Sequence, residues 1–174
     1  MTKLKSITKR TLSVLLCMIM VLSVFMSVPF TASAAVKYSF EENGIRYLEL
    51  DDSTVSIVDI NSKTLPVDVV IPETVQGKTV TTVGERAFDY TGIKNITLPK
   101  TVTTIGQYAF SNCPSLISVT ILGNMTTIEN WTFQYCYALS EINLPDSITH
   151  IGGSAFWGCK LENFQLPKNL ETIG

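Results

Sequence analysis

Beyond the apolar run at the start of the chain, few side chains could act as nucleophile, metal ligand or proton carrier: Cys113, Cys136, Cys159 and the single histidine, His150. Cys113 stands in IGQYAFSNCPSL, with no second cysteine nearby, so no C-x-x-C pair is available for local chelation. Cys136 follows Cys113, and Cys159 follows Cys136, at one and the same interval. If each step were one coil of a solenoid, with strands about 4.8 Å apart, neighbouring thiols would be close enough for a disulfide. A shared metal would also be conceivable. The odd count and the missing local pair argue against both. Thr91 fills the same place one step earlier, as a small space-filler would. Free cysteine is among the most buried residue types. The column is therefore predicted to be core.

His150 stands where the other segments carry Thr82, Thr104, Thr127 and Thr172, a position that reads as a solvated ladder. No Ser/His/Asp or Cys/His constellation can be assembled around it. Asp51 and Asp52 are neighbouring carboxylates within a turn sequence, where aspartate serves the backbone. The sequence thus predicts no catalytic residue, no metal ligand and no cofactor.

The elements carrying these residues repeat. Val83, Ile105, Ile128, Ile151 and Ile173 recur with a period of about 23 residues, inside the span typical of solenoid units. Phe88, Phe110, Phe133 and Phe156 keep the same period, as do Ile96, Val119, Ile142 and Phe164, and Leu98, Ile121, Leu144 and Leu166. Each unit contains L-x-x-φ-x-φ-P, as in LSEINLP, whose alternation predicts a short strand ended by proline. The φ-T-T-φ-G piece follows, as in VTTIG. A-F-x-x-C comes next and is expected to form a helical turn with Ala and Phe directed inward. Glu129 replaces the glycine of this pattern, so the position is not expected to require positive φ. Such units bury too little alone and fold only when stacked.

At the start, Lys3, Lys5, Lys9 and Arg10 precede an apolar run from Leu12 to Phe30, followed by TASAA. This order predicts a secretory signal peptide over residues 1–34, cut after Ala34, with a retained membrane anchor as the alternative. Without it, all 15 acidic residues remain against 9 basic ones, a net charge of −6. Unclustered and outnumbered cations exclude a nucleic-acid binder and argue against anionic membrane surfaces. Extracellular partners are expected, with no membrane insertion after cleavage. Residues 35–79 lack the repeat, and their alternation around Asn43-Gly44 and Asp51–Ser53 predicts a β-hairpin cap. Residues 80–174 hold about four repeats. Ile173-Gly174 opens a fifth, which reads as truncation.

The unit L-x-x-I-x-L-P-x-x-φ-x-x-I-G-x-x-A-F-x-x-C-x-x-L, clearest in LPDSITHIGGSAFWGCKL, resembles the BspA-like, treponemal-type leucine-rich repeat. The likeness covers residues 80–174, with a lead-in from about Val67. Glu129 for Gly, Thr132 for Ala, Leu122 for Pro and Thr91 for Cys depart from it. The resemblance implies an α/β leucine-rich-repeat solenoid, dominated by β structure, with short parallel strands on the concave face. It also implies a secreted or cell-surface bacterial protein with roles in adhesion.

If Ile96 and Leu98 point inward, Asn95 and Thr97 point outward, and their equivalents are Ser118 and Thr120, Glu141 and Asn143, Asn163 and Gln165. This polar, nearly uncharged patch suits hydrogen bonding to a protein or glycan, and equally suits a merely solvated face. Two function classes remain. One is an adhesion or interaction module binding an extracellular protein or glycan through this face. The other is the targeting part of a longer surface enzyme whose catalytic domain lies beyond residue 174.

Overall fold

The computed structural model describes residues 37–162 and 164–174. The predicted signal peptide therefore lies outside the described residues. The chain first forms an antiparallel meander of β1 (Phe40–Glu42), β2 (Ile45–Glu49) and β3 (Thr54–Ile60). Asn43 and Gly44 both take positive φ, 52° and 79°, the pairing that a tight two-residue hairpin requires. Asp51 serves its turn: its carboxylate accepts the amides of Ser53 at 2.8 Å and Thr54 at 2.7 Å. Those bonds, Ser53's first, hold the carboxyl down to about 2.

Two parallel ladders then run through the coils. One joins β4 (Asp68–Val70), β7 (Asn95–Leu98), β9 (Ser118–Ile121) and β11 (Glu141–Asn143), with Ile96 opposite Val119 and Val119 opposite Ile142. The other uses the Thr-Thr segments. β5 (Thr74–Val75) and β6 (Lys78–Val83) form a hairpin, and β6 pairs with β3 on one side and β8 (Thr104–Ile105) on the other. β10 (Thr127–Ile128), β12 (His150–Ile151) and β13 (Thr172–Ile173) continue the pattern separately. The described residues form a solenoid dominated by short strands.

Its core is built from the repeating columns. Phe88, Phe110, Phe133 and Phe156 stack with ring centroids 5.2, 5.3 and 5.4 Å apart and planes within 15° of parallel. Beside them each thiol donates to the phenylalanine carbonyl of the preceding coil. Cys113 reaches Phe88 at 3.0 Å, Cys136 reaches Phe110 at 3.0 Å, and Cys159 reaches Phe133 at 3.2 Å. The three are free thiols. The adjoining Cys136 thiol and burial push Cys113 far above the ordinary range. For Cys136 the bond with Cys113 acts downward, but the bond with Cys159 and burial outweigh it, pushing it up to about 12. Thiolate is the reactive form, so native labelling should be slow at Cys113 and Cys136, and faster at Cys159, which alone is only half-buried. Mass spectrometry during a timed alkylation reads the order, and early loss of Cys113 or Cys136 would contradict it.

The A-F-x-x-C segments are not helical turns. Among the described residues there is no helix. Two residues per unit take positive φ instead: Arg86 and Tyr90, Tyr108 and Asn112, Trp131 and Tyr135, Ser154 and Gly158. Left-handed residues at every fourth position forbid a right-handed helix. The gain lies between coils. Phe88 N donates to Ala109 O at 2.8 Å, Phe110 N to Thr132 O at 2.9 Å and Phe133 N to Ala155 O at 2.8 Å. Intervening amides close local turns, as Asp89 N does onto Arg86 O at 3.1 Å. A single helical turn would have left its first amides without a partner in their own coil.

The glycines before these segments are required for space, since none of Gly84, Gly106 and Gly152 has positive φ. A Cβ on Gly106 would lie 2.6 Å from Glu85 N, and one on Gly152 would lie 2.6 Å from Asn130 N. Glu129 occupies this column with a full side chain, and there the ladder is interrupted: among the described residues β8 does not pair with β10. Glu129→Gly should let that gap close. Two recovered ladder bonds at about 1 kcal/mol each, less roughly 1 kcal/mol for glycine's chain entropy, predict a net gain of about 1 kcal/mol. A urea midpoint that stays put or falls would show that the gap has another cause.

Candidate binding face and family membership

The strand face predicted to carry the binding residues divides into two parts. Across β4, β7 and β9 its outward side chains satisfy each other. Asn95 Nδ2 donates to Asp68 Oδ1 at 2.6 Å, and Ser118 Oγ donates to Asn95 Oδ1 at 2.7 Å. Asn95, Thr97, Ser118 and Thr120 are all half-buried. Asn95 and Ser118 are tied into the sheet by these bonds, and Ser118 and Thr120 also reach the rim of the cleft that opens beside β11. Glu141, Asn143 and Gln165 are exposed. Asn163, the eighth candidate, lies outside the described residues.

The three exposed residues surround a cleft of about 600 Å³, bounded by β9, β11 and residues of the 161–168 segment. The cleft exists because the fourth repeat leaves register. In earlier coils two successive amides fork onto one carbonyl: Ile117 and Ser118 onto Lys94 O, Ser140 and Glu141 onto Ile117 O. At the corresponding place Glu162 makes no such bond among the described residues, and Lys160 N donates instead to Leu139 O at 3.0 Å. The predicted strand over Phe164–Leu166 does not form, and Leu166, expected to point inward, is 54% exposed. Phe164 is the reason. Where other repeats carry Ile96, Val119 and Ile142, this larger ring swings onto Phe156, with centroids 5.5 Å apart at 51°. It covers the end of the aromatic spine and draws its segment away from β11.

Register returns at once. Lys168 Nζ meets Asp146 Oδ2 at 2.6 Å, Asn169 Nδ2 donates to Asp146 O at 2.8 Å, and β13 pairs with β12. The ammonium of Lys168 holds the Asp146 carboxyl below its ordinary value, and Asp146 in turn raises Lys168. His150 lies in the second ladder between Thr127 and Thr172, exposed, with Nδ1 2.6 Å from Thr149 Oγ1.

A feature not anticipated from sequence lies on the turn segments. Tyr108 stacks on Trp131 at 4.9 Å and 7°, with the Arg86 guanidinium 4.2 Å from the Tyr108 centroid. Tyr135 adjoins Tyr137 and Trp157. The usable signal was position: Arg86, Tyr108 and Trp131 each stand directly before an inward-facing Ala-Phe or Thr-Phe pair, and none of the three is buried.

The repeat extends over most of the described chain, and a family model described as "BspA type Leucine rich repeat region" matches residues 67–174 in six copies. The chain belongs to this family. Among solved structures, a leucine-rich repeat protein from Bacteroides ovatus is similar at 32% identity and a TM-score of 0.70, over 78% of this chain. One from Bacteroides capillosus is similar at 26% identity and 0.63, over 79% of this chain. The T. pallidum leucine-rich repeat protein is similar at 29% and 0.56, over 67%. The aligned region spans 37% of the B. ovatus chain, 97% of the B. capillosus chain and 54% of the T. pallidum chain. No match was found among curated proteins. The BspA-type match starts at Val67, and β4 pairs with the repeat strand β7, so β4 belongs to the repeat ladder.

Proposed function

We propose that this BspA-type repeat protein is a secreted or cell-surface interaction module that binds an extracellular protein or glycan through its strand face and turns over no substrate. The observation that carries this reading is the division of that face. Asn95 and Ser118 are committed to each other, whereas Glu141, Asn143 and Gln165 stand open around the cleft. A preformed sheet loses little freedom on binding, so modest polar contacts suffice.

The test is the double substitution Asn143→Ala with Gln165→Ala, measured as binding of the labelled protein to fixed epithelial cells and to an immobilised glycan panel. Losing two neutral hydrogen bonds at about 0.5–1.5 kcal/mol each predicts a weakening of roughly tenfold with unchanged thermal stability. Full binding by the double variant would remove the face from consideration. A second reading rests on length: the chain spans 37% of the B. ovatus relative, so it also fits the targeting part of a longer surface enzyme. The full open reading frame separates the two.

A further inference from the structure

The sheet β4–β7–β9–β11 has one side of β11 unpaired among the described residues, and the cleft lies where the next parallel strand belongs. The chain is back in register with the second ladder by Lys168 and β13. Ile142 records the missing neighbour. It is only half-buried, whereas Ile96 and Val119, its equivalents, are 1% exposed. An unpaired strand edge is a template for another extended chain. The charge around it is one-sided. Glu141, Asp146 and Glu162 supply three carboxylates, and Lys168, already paired with Asp146, is the one cation among the described residues lining the cleft.

We propose that the cleft takes an extended, basic segment of a partner protein, which adds a strand beside β11. The proposal rests on the strand-face reading above and narrows it to backbone pairing with a peptide of stated pattern. Successive side chains of the added strand alternate between two environments. Those turned inward meet Ile142, Leu144 and Phe164 and are apolar. Those turned outward pass Glu141 and Glu162 and are lysine or arginine. Main-chain bonds to β11 supply affinity, and the carboxylates select sign and speed association.

The probe is an end-blocked heptapeptide alternating valine and lysine, titrated into the full-length protein and followed by fluorescence anisotropy and by amide shifts of the protein. Shifts should concentrate at Glu141–Leu144. N-methylation of alternate peptide amides should weaken binding at least about tenfold, because it removes ladder donors. Glutamate in place of lysine, or Glu141→Lys in the protein, should each weaken it by about tenfold, and the effect should fade with added salt. Phe164→Ile restores the residue type of the other coils; it should let residues 164–166 fill the gap and abolish peptide binding. Circular dichroism reports whether that variant stays folded, and Glu141→Lys tests the proposal if it does not.

Equal binding of the N-methylated peptide, equal binding of the acidic peptide, or shifts confined to the turn segments would overturn the proposal. So would a silent peptide beside a neutral oligosaccharide that perturbs Glu141–Leu144. If the peptide fails but Asn143→Ala with Gln165→Ala still weakens cell or glycan binding, only strand addition is wrong. If both are silent, the strand-face reading falls with it.

Discussion

Replacing Phe133 by alanine should destabilise the protein by about 3–5 kcal/mol, the usual range for emptying a buried aromatic site. Phe133 is fully buried and lies between Phe110 at 5.3 Å and Phe156 at 5.4 Å, nearly parallel to both. Truncation therefore removes two ring contacts together with the apolar area. Coils in a solenoid hold only their neighbours, so a hole at Phe133 weakens the joint between the coils before and after it. Phe88 has a single ring partner in the spine, Phe110, so Phe88→Ala should cost less. Urea unfolding of both variants gives the comparison, and a loss at Phe133 no larger than that of a surface substitution would show that the spine is dispensable. Alkylation offers a second reading. Cys159 bonds to Phe133 O, and a collapsed or opened spine there should expose its thiol first.

The columns were legible because burial in a stacked array is periodic. A residue such as Phe110 must face its copies one repeat away on either side, whatever the local backbone does. The hairpin at Asn43-Gly44 was legible for a different reason, since its φ values are intrinsic to those residues. Two features depended on competition that no local pattern records. A-F-x-x-C has the composition of a helical turn, but its alternate amides gain more by bonding the next coil, as Phe88 N does to Ala109 O. The fourth strand has the alternation of its predecessors, yet Phe164 gains more by covering Phe156 than by holding Leu166 against β11. The strand face carries a similar competition: Asn95 and Ser118 alternate with buried residues, but stacking also places their polar atoms 2.7 Å apart. The cleft was invisible because it follows from where one ring goes.

Gly106→Ala is expected to cost about 2–3 kcal/mol, in the range for overpacking a rigid site. The added methyl would stand 2.6 Å from Glu85 N and 2.9 Å from both Glu85 Cα and Gly84 C. All three are backbone atoms of the preceding coil, so no side chain can rotate aside, and the coils must separate. The bond from Gly106 N to Val83 O, 2.8 Å, and the pairing of Thr82 with Thr104 should be the first to go. Glu129 already shows that outcome in the same column, where a side chain coincides with the unpaired edges of β8 and β10. Gly77→Ala is the control. Nothing lies within 4 Å of its added Cβ, but φ is +78°. It should lose only about 1 kcal/mol through left-handed strain. Hydrogen exchange distinguishes the two mechanisms: Gly106→Ala should speed exchange at Thr103 and residue 106 specifically, whereas Gly77→Ala should leave both protected. Protection at Thr103 in a stable Gly106→Ala variant would mean that the coils have slack, and would remove the steric account of the interrupted ladder at Glu129 as well.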